Sequence, residues 1–142
     1  MDTLTLQPAV AASLHAWPDM IARRDLSGLD AITRPDVRFR SPAVHKPYQS
    51  APVLALILGT VIQVFEDFTY HRQFASEDGL NVVLEFSARV GDRELKGIDM
   101  IRFDEAGKIV EFEVMIRPLS GLQALGEEMG RRLAPYLAGT KA

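Results

Sequence analysis

The chain has 142 residues, 47% hydrophobic and 25% charged, with a formal net charge of −3 and no cysteine. That length supports one domain with its own core, and the composition is that of an ordinary folded protein, which excludes disorder as a description of most of it. The acidic balance argues against a nucleic-acid surface, which needs clustered positive charge, and the lack of cysteine removes disulfides, thiolate zinc sites and thiol nucleophiles.

The opening stretch "MDTLTLQPAVAASL" has neither the basic start nor the long apolar core of a secretory leader. The longest apolar run, "APVLALILGTVI", falls well short of the roughly 20 residues that span a bilayer. A single domain over residues 1–142, soluble and cytoplasmic, with no membrane or nucleic-acid partner, is the expectation.

Helical periodicity comes first. Val10, Leu14, Trp17 and Ile21 share one face, with Pro18 placed to bend the helix beside Trp17. "RRDLSGLDAI" reads as a turn and a short second helix, "DVRFR" as a strand, and the three-proline stretch "SPAVHKPYQSAP" as a loop. Ser50 is placed to cap a third helix through "VLALILGTVI", with Pro52 tolerated in its first turn. After Phe65 the period changes to two. Leu80, Val82, Leu84, Phe86, Ala88 and Val90 alternate with more polar positions, Gly91-Asp92 makes a turn, "ELKGIDMIRFD" follows, "EAGK" turns again, and "IVEFEVMIR" returns. Leu119, Leu122, Leu125, Met129 and Leu133 then mark a closing helix. Helices, then a curved antiparallel sheet, then a helix make an α+β domain.

Strand parity singles out one residue. Asp99 shares its row with Leu95, Gly97, Ile101 and Phe103, and the facing row Val110, Phe112, Val114 and Ile116 is wholly apolar. A carboxylate on that face must be paired, hydrogen-bonded or protonated, because burying an unpaired charge costs several kcal/mol, roughly. Two readings stay open: a structural aspartate bonded to backbone amides or to an arginine such as Arg72, or a functional acid with a raised pKa.

"GIDMIRFDEAGKIVEF" resembles the closing hairpin of the ketosteroid isomerases, which share the cone-shaped α+β roll of nuclear transport factor 2, the cystatin-like fold and the SnoaL-like polyketide cyclases. The similarity extends through "RRDLSGL", "RFRSP" and the long helix. It implies a curved, mixed or antiparallel sheet wrapped around the N-terminal helices, with an extra C-terminal helix. Carried onto this chain, the resemblance makes Asp99 the protonated acid of an oxyanion hole. It puts Trp17 where the isomerases have a tyrosine donor, and Ser41 where they have the aspartate that serves as base. Serine at its ordinary acidity does not take a carbon-bound proton, so the usual steroid isomerisation is not expected. An apolar cone with one carboxyl resembles instead the cyclases, in which a single acidic residue serves as acid and base. The implied function is binding of a small hydrophobic, carbonyl-containing ligand, with isomerase or cyclase chemistry through Asp99; the alternative is a non-catalytic binding or dimeric scaffold domain. The ligand-contacting residues so implied are Trp17, Ser41, Leu84, Phe86, Ile101, Phe112, Val114 and Ile116. A hydrolase of limonene-epoxide type would need charged residues not found together here.

Other candidates are plainer. His15, His45 and His71 are too scattered for a local metal site, and neither metal nor cofactor is expected. His71 is a second candidate base, on a strand "FTYHRQF" where Tyr70, Arg72 and Phe74 alternate with Thr69, His71 and Gln73, and either row can line the cone. Gly121, Gly126 and Gly130 lack the setting of a phosphate loop and read as positions where the last helix packs closely. On the mixed sheet face, Val83, Ile98, Met100 and Met115 rimmed by Glu85, Arg102, Glu113 and Arg117 have interface anatomy. They point to a homodimer.

Overall fold

The computed structural model describes residues 6–137; the first five residues of the opening stretch and the last five of the expected domain lie outside them. Helix α1 (Pro8–Arg23) starts on a proline whose missing N–H costs nothing in a first turn, and it continues past Pro18. Its buried face is Val10, Ser13, Leu14, Trp17 and Met20. The expected short second helix is a single 3₁₀ turn, Leu29–Ile32. Strand β1 (Thr33–Arg40) follows, and the proline-rich loop holds a two-residue strand β2 (Tyr48–Gln49). Helix α2 (Ala51–Val64) is capped as its sequence requires, with the Ser50 side chain accepting from the Val53 N–H at 3.2 Å. Strands β3 (Glu66–Ala75), β4 (Asn81–Val90), β5 (Arg93–Phe103) and β6 (Ile109–Arg117) form the meander, and α3 (Leu119–Leu137) closes the chain. No helix among the described residues is long and apolar enough to cross a membrane.

The sheet order is β2-β1-β6-β5-β4-β3. All pairs are antiparallel except β1 with β6, so the sheet is mixed, and it curls around one apolar core. Bulges supply bends. One extra residue enters β3 between Glu66 and Thr69 and a second between Tyr70 and Gln73. An extra residue in a strand reverses which face the following side chains take. A further irregularity beside Phe103 sets Ile109, rather than Val110, opposite it; Ile109 is buried and Val110 is half-buried. The apolar row expected on β6 therefore begins one residue early.

At one end α1 is tied to the turns of the meander. The Gln7 amide donates to Gly79 O, and the Ser13 hydroxyl to Gly107 O at 2.6 Å. On the outer face Glu85, although on the polar parity, is only 6% exposed. It accepts two bonds from Arg72, at 2.7 and 2.8 Å, and lies 2.9 Å from Lys96 Nζ; these partners hold its carboxyl down at about 2. Phe74, Met100 and Met115 are exposed on this face.

Gly97 lets the core close under Phe86. A Cβ there would lie 2.6 Å from the Phe86 ring and 2.5 Å from the Met115 carbonyl, and the carbonyl belongs to a paired strand that cannot yield. Gly97→Ala is expected to cost about 1–3 kcal/mol, read as a lowered urea midpoint. An unchanged midpoint would mean that the ring and strand move aside freely.

Candidate functional site

The inner sheet face and the helices form an apolar cavity of about 280 Å³, just below the usual range for ligand pockets. Trp17 and Ile21 of α1, Ile57, Leu58, Val61 and Ile62 of α2, and Leu122, Leu125, Met129 and Leu133 of α3 supply the helical walls. Phe86, Asp99, Phe112, Val114 and Ile116 supply the sheet wall, and residues 41–44 one side.

Asp99 is the acid within it. The residue is 6% exposed, flanked across the ladder by Leu84 and Val114. Its Oδ2 accepts from the Tyr70 hydroxyl at 2.7 Å, and the Tyr70 oxygen in turn accepts from the Trp17 indole N–H at 2.7 Å. No other hydrogen bond to Asp99 occurs among the described residues, so its second oxygen carries no protein donor. Burial is the dominant effect on this carboxyl and lifts it to about 7, against the opposing pull of the Tyr70 bond. Tyr70 itself is pushed well above the usual phenol range, first by burial and then by the Asp99 charge, and remains a neutral donor at all ordinary pH.

Ring packing fixes the phenol. Tyr70 meets Phe68 edge-on at 4.8 Å and Phe86 edge-on at 6.4 Å, while Trp17 meets Phe112 edge-on at 5.5 Å. The chain indole, phenol, carboxyl runs from helix to edge strand to central strand, so it also ties three elements together.

Tyr70 is the cavity side chain that strand parity left unassigned. It had been grouped with Arg72 and Phe74, yet the bulge between Tyr70 and Gln73 turns Tyr70 inward opposite Phe86 and sends Arg72 outward to Glu85. Arg72 is therefore not the partner of Asp99. No signal in "FTYHRQF" itself marks Tyr70, because the extra residue shows only in the pairing with β4.

Of the other expected contacts, Trp17, Ser41, Phe86, Phe112, Val114 and Ile116 line the cavity with Asp99. Leu84 and Ile101 are buried on the same face but pack away from it, because the end of the cone where α1 is tied down is filled with side chains. His71 is exposed on the outer face and shares a 2.7 Å bond with Ser87. It stands apart from Asp99. Ser41 lines the cavity, with its hydroxyl accepting from the Ala43 N–H at 3.1 Å to hold a turn. His45 lines an adjoining, open polar groove with Arg40 and Glu113, and His15 is exposed. No group of three or more potential metal ligands occurs among the described residues.

A model of the SnoaL-like domain matches residues 14–112, which spans every element of this site except α3 and the end of β6. The chain belongs to the SnoaL-like domain family. Among solved structures, a steroid delta-isomerase from Pseudomonas aeruginosa is 69% identical, over 96% of this chain and 99% of that one, with a TM-score of 0.92. An uncharacterised protein with a cystatin-like fold from Silicibacter pomeroyi is 33% identical, over 90% of this chain and 86% of that one, with a TM-score of 0.81. A nuclear transport factor 2-like protein of unknown function from Mesorhizobium loti, 12% identical over 79% of this chain and 93% of that one, has a TM-score of 0.69 and shows the fold alone. Among curated proteins none matches.

The raised carboxyl has a consequence for stability. A carboxyl whose folded pKa exceeds its unfolded value of about 3.9 binds more protons in the folded state between the two. Stability therefore falls as pH rises from about 4 through about 7 and levels off above. The full cost is roughly 4 kcal/mol at its upper bound. Asp99→Asn keeps an acceptor for Tyr70 and cannot titrate. Urea unfolding across this window is expected to show the variant gaining on the wild type with rising pH; parallel profiles would contradict the raised carboxyl.

Proposed function

We propose that the protein binds a small, largely apolar carbonyl compound in the cone and moves a proton on it through Asp99. The observation that carries this reading is a carboxyl in an apolar cavity with one oxygen on the Tyr70–Trp17 chain and the other without a protein donor. A group that titrates near neutrality is suited to both halves of a proton transfer. As the neutral acid it donates to a carbonyl oxygen. As the carboxylate it takes a proton from the carbon beside the carbonyl; the C–H electron pair becomes the enolate double bond, and the same proton returns at another carbon. The desolvation that raises the pKa is what makes the carboxylate a competent base.

The 69% identical P. aeruginosa protein, named as a steroid delta-isomerase, supports a rigid unsaturated ketone as the substrate class. Ser41 gives no second base, so one carboxyl carries both steps. The test is conversion of a β,γ-unsaturated ketone to its conjugated isomer, followed by ultraviolet absorbance. Asp99→Asn is expected to lower kcat by about 100-fold or more. Tyr70→Phe removes the bond that holds the carboxyl down, and its kcat/KM limb near pH 7 is expected to move to higher pH. Ketone binding, seen by the fluorescence of the sole tryptophan, Trp17, with no turnover in the wild type would favour the non-catalytic reading, in which neutral Asp99 only orients the ligand.

The outer sheet face supports a homodimer in this reading. Exposed Met100 and Met115 lie among charges of both signs, Arg102 and Arg117 with Glu113, so a second copy turned about a two-fold axis can offer each charge an opposite one. Sedimentation is expected to give a dimer for the wild type and a monomer for Met115→Glu. A wild-type monomer at all concentrations would contradict the interface.

A further inference from the structure

We infer that Gly126 and Gly130 on α3 keep the mouth of the cavity open and set the length of ligand the cone accepts. This rests on the cavity being the ligand site and goes beyond it to a selection by size. The first observation is where the mouth lies. Most of the wall is buried, but Ala43 and Val44 on the loop and Gly130 and Ala134 on α3 line the cavity and are also exposed, Val44 to 43%. The opening is therefore between residues 41–44 and the C-terminal half of α3. Beyond the loop lies the open groove that shares Ser41, Pro42, Ala43, Val44, Val114 and Ile116 with the cavity wall.

The second observation concerns why glycine stands there. Glycine is a poor residue inside a helix, because it loses the most backbone freedom on folding. Close packing is the usual compensation, and Gly121 shows it: a Cβ there would meet the Leu95 Cβ at 2.8 Å and the Glu94 carbonyl at 2.9 Å. Gly126 and Gly130 show nothing of the kind. A Cβ at either meets no atom within 4 Å. The close-packing role expected from the sequence holds for Gly121 and fails for the other two. Packing within the protein does not demand glycine at these two positions, which lie one helical turn apart on the cavity side; space for a ligand does.

The lining also bounds the ligand's chemistry. Asp99 is the one carboxylic or basic side chain of the lining, and it becomes an anion only as pH rises through about 7. An uncharged, elongated molecule fits, with its carbonyl end at Asp99 and its far end passing Gly126 and Gly130. A short molecule of the same class reaches Asp99 without passing them.

The helix α2 supplies a control. Gly59 is also mid-helix with nothing within 4 Å of a Cβ, and it does not line the cavity. Gly59→Ala, Gly126→Ala, Gly130→Ala and the double variant Gly126→Leu/Gly130→Leu are compared by thermal unfolding, and by calorimetric binding of two probes, the bicyclic enone octalone and the four-ring enone androstenedione. All three alanine variants are expected to match or exceed the wild-type Tm. The double leucine variant is expected to lose at least about tenfold in affinity for androstenedione and less than about twofold for octalone, with Gly59→Ala changing neither. Equal loss for both probes, or unchanged binding of the four-ring enone, would overturn the role of the glycines while leaving the cavity reading standing. A lowered Tm in Gly126→Ala or Gly130→Ala would overturn it too, by showing that the fold itself needs them. If the wild type binds neither enone, the cavity reading fails and this inference falls with it.

Discussion

A carboxyl buried among leucines, valines and aromatic rings has to be accommodated by its surroundings, and the accommodation of Asp99 organises much of this molecule. The group receives one hydrogen bond, from Tyr70, and that phenol receives one from Trp17. Each link draws on a different element, so α1, β3 and β5 have to meet in one register for the chain to exist. The bond from a neutral phenol is too weak to hold the acid ionised against desolvation, which leaves the carboxyl near neutrality rather than far below it. Glu85 makes the contrast within the same sheet. It sits one position along β4 from Leu84, which pairs with Asp99. On the outer face it has an arginine fork and a lysine, and it stays ionised.

The fold serves this arrangement in two ways. The irregular register of β3 aims Tyr70 inward and Arg72 outward, so the same short strand supplies a neutral partner to the inner acid and a cation to the outer one. Gly97 lets the Phe86 ring press against β5, and Phe86 in turn meets Phe68 and Tyr70. The helices then wall the half of the cone that is not filled by side chains. No side-chain nitrogen or oxygen shut off from solvent among the described residues lacks a partner, so the Asp99 oxygen without a protein donor is one that the cavity leaves accessible.

Much of this was legible in the chain. Alternation along β4, β5 and β6 placed Asp99 on the inner face, and Ser50 and Pro52 marked the start of α2, because these signals are local and each residue's neighbours decide them. Tyr70 was not legible, because a bulge changes parity through pairing with another strand and leaves no mark in "FTYHRQF" itself. Val110 and Ile109 exchanged places for the same reason. Leu84 and Ile101 were placed on the correct face, yet whether an inward side chain meets a cavity or another side chain depends on where α1 is anchored. The glycines of α3 divided into one that packs and two that do not, a distinction made by Leu95 across the structure rather than by the helix.

The central claim is that Asp99 is a near-neutral acid held by Tyr70. Titrating its side-chain carboxyl by carbon-detected NMR, with Asp99→Asn to assign the resonance, tests that most directly. The account predicts a midpoint near 7 in the wild type and a higher one in Tyr70→Phe, because the lost bond favoured the charged form. A midpoint at or below about 3.9, the ordinary aspartate value, or one that Tyr70→Phe leaves unmoved, would contradict it.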